Sequence, residues 1–178
     1  MKKILIYSKY NGGVQFLAEN MDKKLLIFVV DDQEVYLNLL KDKLDLNPNH
    51  SILTFSTGEE ALIYAGLKPD LLIIDYHLDG VVLTAKNGRD IANLFRIDLP
   101  GIEVVVISAD HKLSFLSGVN NTSEKLMFKD GYVSDRLSLV STKLLSIKKS
   151  TRVFNKLMVA SIVAFIMAFS WAVMSFSG

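Results

Sequence analysis

The strongest constraint on the fold is a regular alternation of short apolar runs with segments of helical character between residues 25 and 147. Five runs are predicted to be strands, namely Leu25–Val30, Ser51–Phe55, Leu71–Ile74, Ile102–Ile107 and Leu126–Phe128. Five segments are predicted to be helices, namely 33–46, 57–66, 87–97, 112–119 and 132–147. Strands that alternate with helices in this way favour an α/β fold, in which a doubly wound parallel sheet is covered by helices on both faces.

Two of the predicted helices have details that a structure can test. In the helix at 33–46 the apolar side chains expected on one face are Val35, Leu39, Leu40 and Leu44. The helix at 57–66 begins with Thr57 as its predicted cap, and Glu60 follows three residues later as in a capping box.

Chemically active side chains follow four of the predicted strands. These side chains are Asp31 and Asp32 after the first strand, Asp75 after the third, Ser108 after the fourth and Lys129 after the fifth. The functional crevice of a parallel sheet lies at the carboxyl ends of its strands, so we expect these groups to lie close together. An aspartate after a strand is more often a helix cap, and it is the joint occurrence that indicates function.

The chemistry of this set is restricted. Three neighbouring carboxylates do not all stay ionised without a cation, and hard oxygen ligands favour Mg²⁺. A carboxylate can also attack phosphorus and form an aspartyl phosphate. Lys129 and the metal would then neutralise the phosphoryl oxygens, and the Ser108 hydroxyl could donate a hydrogen bond to one of them.

At this level of detail the sequence resembles the receiver domain of two-component response regulators, the CheY-like, flavodoxin-like fold. The resemblance covers residues 25–147 and rests on four motifs, which are VVDD at 29–32, LLIIDYHLDG at 71–80 with NG at 87–88, VVVISAD at 104–110 and MFKDG at 127–131. It implies a five-stranded parallel sheet in the order 2-1-3-4-5.

The resemblance also implies a role for each residue at the strand ends. Asp75 matches the phosphoacceptor, Ser108 the switch hydroxyl and Lys129 the lysine of the family. The implied Mg²⁺ ligands are Asp31, Asp32, Asp75 and the backbone carbonyl of His77. The implied partner is a sensor histidine kinase or a phosphotransfer protein, and the only catalysis implied is that of the domain's own phosphotransfer and dephosphorylation.

Four features depart from the family pattern. Asp79 replaces a proline after the phosphoacceptor, and the loop that includes residues 81–86 is longer than usual. Leu126 replaces an aromatic residue of the usual switch, and Asp130 replaces the proline that commonly follows the lysine. None of these changes removes a residue needed for phosphorylation, but Leu126 puts the usual relay of the signal in doubt.

The C-terminal segment has a different character. Residues 157–176 are twenty consecutive residues without a charge, and as a helix they would be about 30 Å long, the thickness of a bilayer's hydrocarbon core. A buried helix of a soluble protein is the alternative, but such a helix usually has a polar stripe and none is visible here. The segment is therefore predicted to be a transmembrane helix.

Flanking charge predicts how this helix is oriented. All 19 acidic residues lie between Glu19 and Asp135, whereas residues 136–178 carry six basic residues and no acidic one. Five of the six lie in Lys143–Lys156, immediately before the apolar segment, and the positive-inside rule then places the receiver in the cytoplasm. We expect a single-pass C-terminal anchor in the cytoplasmic membrane, preceded by a basic juxtamembrane linker at 148–156.

The N-terminal residues, the lack of cysteine and the lack of a second domain restrict the possible functions further. Residues 1–21 are expected to be an N-terminal extension, because their apolar run is too short for a signal peptide, and residues 22–147 are expected to form the receiver. The absence of cysteine excludes disulfides and thiolate sites. No second domain follows the receiver, so we expect no direct binding to nucleic acid.

The sequence leaves two functions open. The first is a membrane-tethered receiver that is phosphorylated on Asp75, and the alternative is a non-phosphorylated interaction or scaffold module with the same fold. A phosphatase with an aspartate nucleophile is disfavoured, because it would need a second acid two residues after Asp75, where His77 stands.

Overall fold

The computed structural model describes residues 24–78, 87–110 and 125–176. Its strands are β1 (Leu25–Val30), β2 (His50–Phe55), β3 (Leu71–Asp75), β4 (Glu103–Ser108) and β5 (Lys125–Phe128). They form one sheet in the order β2-β1-β3-β4-β5, and every pair of neighbours is parallel. The predicted fold class and strand order are confirmed.

The helices are α1 (Glu34–Asp45), α2 (Gly58–Ile63), α3 (Gly88–Asp98) and α4 (Val133–Phe176), with a 3₁₀ turn at Ala65–Leu67. The predicted helix at 112–119, the loop at 81–86, Asp79 and the N-terminal extension lie outside the described residues.

The centre of the sheet is buried on both faces, as expected for a parallel sheet. Every residue of β1 and β3 is buried. Three aromatic side chains pack over one face, since the Phe28 ring lies 4.8 Å from the Phe55 ring and 6.2 Å from the Phe95 ring, measured between centroids. Leu126, at the position where the resemblance leads one to expect an aromatic residue, packs partly buried against the same cluster.

The predicted face of α1 is wrong in part. Leu40 and Leu44 are buried as expected, but Val35 is 84% exposed and Leu39 is 48% exposed, and Leu37 is buried instead. A helix turns by about 100° per residue, so Val35 and Leu39 lie on the side opposite Leu37. The helix has two apolar ridges, and only the one that includes Leu37 faces the core.

The start of α2 is confirmed and its end is corrected. Thr57 Oγ1 accepts a hydrogen bond of 3.2 Å from the backbone N–H of Glu60, as predicted for an N-cap. The α-helix ends at Ile63 rather than near Gly66, because the chain tightens into the 3₁₀ turn. Lys68 then adopts a left-handed conformation, with φ of 57°, directly before Pro69.

The chain divides into two compact units, Met1–Ser141 and Thr142–Gly178. Helix α4 runs without a break through the residues predicted to be a helix (132–147), a basic linker (148–156) and a span (157–176), so the basic segment is helical. By length and composition this helix is a candidate membrane span, and its most apolar window has no buried residue.

Candidate functional site

Three carboxylates meet at the carboxyl edge of the sheet. Asp31 directly follows β1, Asp75 ends β3, and the two strands are neighbours with Val30 opposite Ile74. One carboxylate oxygen from each of Asp31, Asp32 and Asp75 lies within 4.8 Å of the others. Asp31 and Asp75 are buried, whereas Asp32 is exposed.

Lys129 binds two of these carboxylates. It directly follows β5, and its Nζ lies 2.7 Å from Asp31 Oδ2 and 2.9 Å from Asp75 Oδ2. Only 8% of its side chain is exposed, so the ion pairs are shielded from water. Three carboxylates and one ammonium leave the site with a formal charge of two negative units.

Burial and ion pairing shift the pKa values of these groups in opposite directions. Burial raises the pKa of Asp31, although the hydrogen bonds from Lys129 and from the backbone of Gln33 act in the opposite direction. Burial lowers the pKa of Lys129, but its hydrogen bonds to Asp31 and Asp75 outweigh that effect, and the net direction is upward. The lysine is therefore a stable cation at neutral pH.

Ser108 ends β4, next to the strand of Asp75. Asp75 pairs with Ile107 in the sheet, so Ser108 is one residue further along the neighbouring strand. The serine is fully buried, and its Oγ accepts a hydrogen bond of 3.1 Å from the backbone N–H of Asp110. Its carbonyl accepts one of 2.8 Å from the backbone N–H of Lys129, which links the ends of β4 and β5.

A close backbone approach fixes the end of β3. The N–H of Gly88, at the start of α3, donates a 3.1 Å hydrogen bond to the carbonyl of Tyr76. A Cβ atom on Gly88 would lie 1.8 Å from the carbonyl oxygen of Asp75, so only glycine fits there. Asn87 caps the same helix, since its Oδ1 accepts a 3.0 Å hydrogen bond from the N–H of Asp90.

Two further residues support the position of Lys129, one by contacting its side chain and one by binding its neighbours in the chain, and sequence reasoning missed both. The ammonium of Lys129 lies 4.5 Å from the centroid of the Tyr36 ring, on α1. Arg136, on α4, donates hydrogen bonds to both carboxylate oxygens of Asp130 and one of 2.8 Å to the carbonyl of Phe128. The guanidinium thus binds the residues on either side of Lys129. A tyrosine five residues after an aspartate carries no recognisable signal, but an Asp–Arg pair six residues apart at the start of a helix could have been noticed.

The acidic group fits a divalent cation. Carboxylate oxygens are the ligands that Mg²⁺ prefers, and two oxygens bound to one Mg²⁺ lie at most about 4.2 Å apart. The separation of up to 4.8 Å means that Asp31, Asp32 and Asp75 need only a small inward movement. His77, whose carbonyl is the fourth expected ligand, lies two residues beyond Asp75 with an exposed side chain.

No family model matches the chain, and no curated protein matches it in sequence. Solved structures do match. A response regulator receiver protein from Sinorhizobium medicae WSM419 has a TM-score of 0.57 at 19% identity, with 71% of this chain and 98% of that chain covered. A response regulator receiver domain protein from Clostridium thermocellum has a TM-score of 0.57 at 21% identity, covering 71% and 98% of the two chains. The BeF3-activated DrrB receiver domain has a TM-score of 0.55 at 20% identity, covering 69% and 98%.

The described domain therefore has the fold of response regulator receiver domains. This chain also has a long apolar C-terminal helix, which is a candidate membrane span.

Proposed function

We propose that this protein is a membrane-tethered receiver that accepts a phosphoryl group on Asp75 from a histidine kinase or a phosphotransfer protein. The observation that carries the proposal is the position of the Lys129 ammonium between Asp31 and Asp75, beside a third carboxylate at the same edge. Isolated capping aspartates would not share one buried cation.

The site residues have defined roles in this reaction. A carboxylate oxygen of Asp75 attacks the phosphorus of a phosphohistidine, an O–P bond forms and the N–P bond breaks, and the leaving imidazole nitrogen keeps the electron pair. The Lys129 ammonium exchanges one of its carboxylate partners for a phosphoryl oxygen, to which it then donates a hydrogen bond. The Ser108 hydroxyl donates a second hydrogen bond to the phosphoryl group. Mg²⁺, held by Asp31, Asp32, Asp75 and the His77 carbonyl, would supply positive charge for the phosphoryl oxygens.

The C-terminal helix is proposed to anchor the receiver. Its apolar part, 157–176, is long enough to cross a bilayer, and the basic residues of 148–156 would lie at the cytoplasmic surface. The receiver, 22–147, would then face the cytoplasm. Confinement to the membrane raises the effective concentration of the receiver near a membrane-embedded kinase.

One experiment tests the phosphorylation. The full-length protein in detergent micelles is incubated with Mg²⁺ and acetyl phosphate, and the phosphorylated residue is located by mass spectrometry. We expect a hydroxylamine-sensitive acyl phosphate on Asp75 that is absent from D75N and from samples treated with a chelator. The matched control is D70N, because Asp70 lies at the opposite end of β3. A folded wild-type protein that stays unlabelled would favour the non-phosphorylated interaction module instead.

A further inference from the structure

Lys129 has a third neighbour besides its two carboxylates. Its Nζ lies 4.5 Å from the centroid of the Tyr36 ring, within the range of a cation–π interaction. Tyr36 lies in the first turns of α1, and its N–H bonds the carbonyl of Gln33, so its backbone is fixed close to Asp31. An ammonium group has three N–H donors for hydrogen bonds to oxygen atoms. The ring attracts the positive charge through its π face, so this contact needs no oxygen acceptor.

The carboxylate contacts of Lys129 conflict with the reaction, and the ring contact does not. An oxygen of Asp75 has to be free to form the new O–P bond, and Asp31 competes with the phosphoryl group for the same ammonium. The Tyr36 ring is neutral, so it neither ligates a metal nor repels a phosphoryl group. Its attraction for Lys129 therefore persists before and after the transfer.

The ring, rather than the hydroxyl, is the part of Tyr36 that matters here. The hydroxyl oxygen is buried and has no hydrogen-bond partner among the residues that the structure describes. Removing an unpaired buried hydroxyl sacrifices no hydrogen bond, so Tyr36→Phe should be tolerated. Tyr36→Leu and Tyr36→Met keep an apolar side chain but remove the π face.

We propose that Tyr36 is a positioning residue, whose ring holds the ammonium of Lys129 where it can meet the incoming phosphoryl group. This inference rests on the proposed phosphorylation of Asp75. The loss of the ring should lower the maximal rate of phosphorylation by roughly 3- to 10-fold, in the range expected for one partly shielded cation–π contact.

The experiment measures the rate of Asp75 phosphorylation against acetyl phosphate concentration at saturating Mg²⁺, with full-length protein in micelles. The variants are Y36F, Y36W, Y36L, Y36M, K129A and the double variant Y36L/K129A, and circular dichroism verifies that each one is folded. We expect Y36F and Y36W to stay within about twofold of wild type, and Y36L and Y36M to lose maximal rate with little change in the half-saturating donor concentration. Leucine should add no further loss in the K129A background, because its effect acts through the lysine.

The outcomes separate a failure of the role proposed for Tyr36 from a failure of the proposed phosphorylation of Asp75. If Y36L and Y36M match Y36F, or if leucine slows K129A as much as it slows wild type, the inference about Tyr36 is wrong while the phosphorylation stands. If folded wild-type protein takes up no phosphoryl group, the proposed function fails, and the role of Tyr36 in it fails as well. Recovery of the rate in Y36W but not in Y36M would support the cation–π contact over simple packing.

Discussion

The close approach of α3 to the end of β3, where Asp75 lies, predicts a strong effect of Gly88→Ala. The new Cβ would lie 1.8 Å from the carbonyl oxygen of Asp75 and 3.2 Å from Cγ1 of Ile74. Ordinary contacts begin at 3.4 Å, so the helix would have to retreat by about 1.6 Å and would lose the hydrogen bond to Tyr76. Overpacking against the backbone destabilises the variant, and the higher helix propensity of alanine offsets part of that loss. The net free energy of unfolding should fall by about 2 kcal/mol.

Gly101→Ala is the matched control, because a Cβ on Gly101 would meet nothing within 4 Å. It should change stability by no more than about 0.5 kcal/mol. Native-state hydrogen exchange of the β1 and β3 peptides measures both variants, and 2 kcal/mol corresponds to roughly 30-fold faster exchange through global opening. Equal exchange in the two alanine variants would refute the argument that Gly88 is required by the approach to Asp75.

Three further predictions follow from the site and the long helix. Because burial raises the pKa of Asp31 above its usual 3.8, the folded state favours its protonated form, and its contribution to stability is lost as pH rises through that pKa. A bound cation favours the ionised form, so the rise in melting temperature caused by Mg²⁺ should increase as the pH is raised from the acid side of the Asp31 pKa toward neutrality; a constant rise would contradict Asp31 as a ligand. Arg136→Ala should speed hydrogen exchange in β5 by several-fold, and Arg136→Lys should not restore it because lysine lacks the planar fork that binds Asp130 and the Phe128 carbonyl together. Alkaline carbonate should leave the full-length protein in the membrane pellet, and deletion of residues 150–178 should release a folded soluble receiver; a full-length protein in the supernatant would exclude the anchor.

The sheet could be predicted because a buried parallel strand has a short, apolar sequence of its own. LLIFVV at 25–30 and LLIID at 71–75 have little alternative to a central position, and both are fully buried. The exposed ridge of α1 could not be predicted in the same way. Val35 and Leu39 have helical spacing as regular as that of the buried leucines, so periodicity alone could not choose the face that meets the sheet.

The carboxyl edge of the sheet could be predicted for a related reason. The register places residues that follow β1 and β3 beside one another, so Asp31 and Asp75 had to meet once the strands were identified. The 44-residue continuity of α4 could not be predicted, since basic residues at 148–156 are compatible with either a linker or a helix. Only the hydrogen-bonded backbone distinguishes the two.

The charge of the site shows which residues a sequence can reveal and which it cannot. Asp31, Asp32 and Asp75 leave two negative charges beyond what Lys129 neutralises, and an excess of that size in a partly buried site calls for a cation. Such groups are recognisable in a sequence because few structural roles require them together. Tyr36 is a neutral aromatic residue on an amphipathic helix, where most such residues only fill space. It therefore becomes a candidate only when the fold places Lys129 over its ring, and residues that position an ionised group without sharing its charge have to be sought in structures.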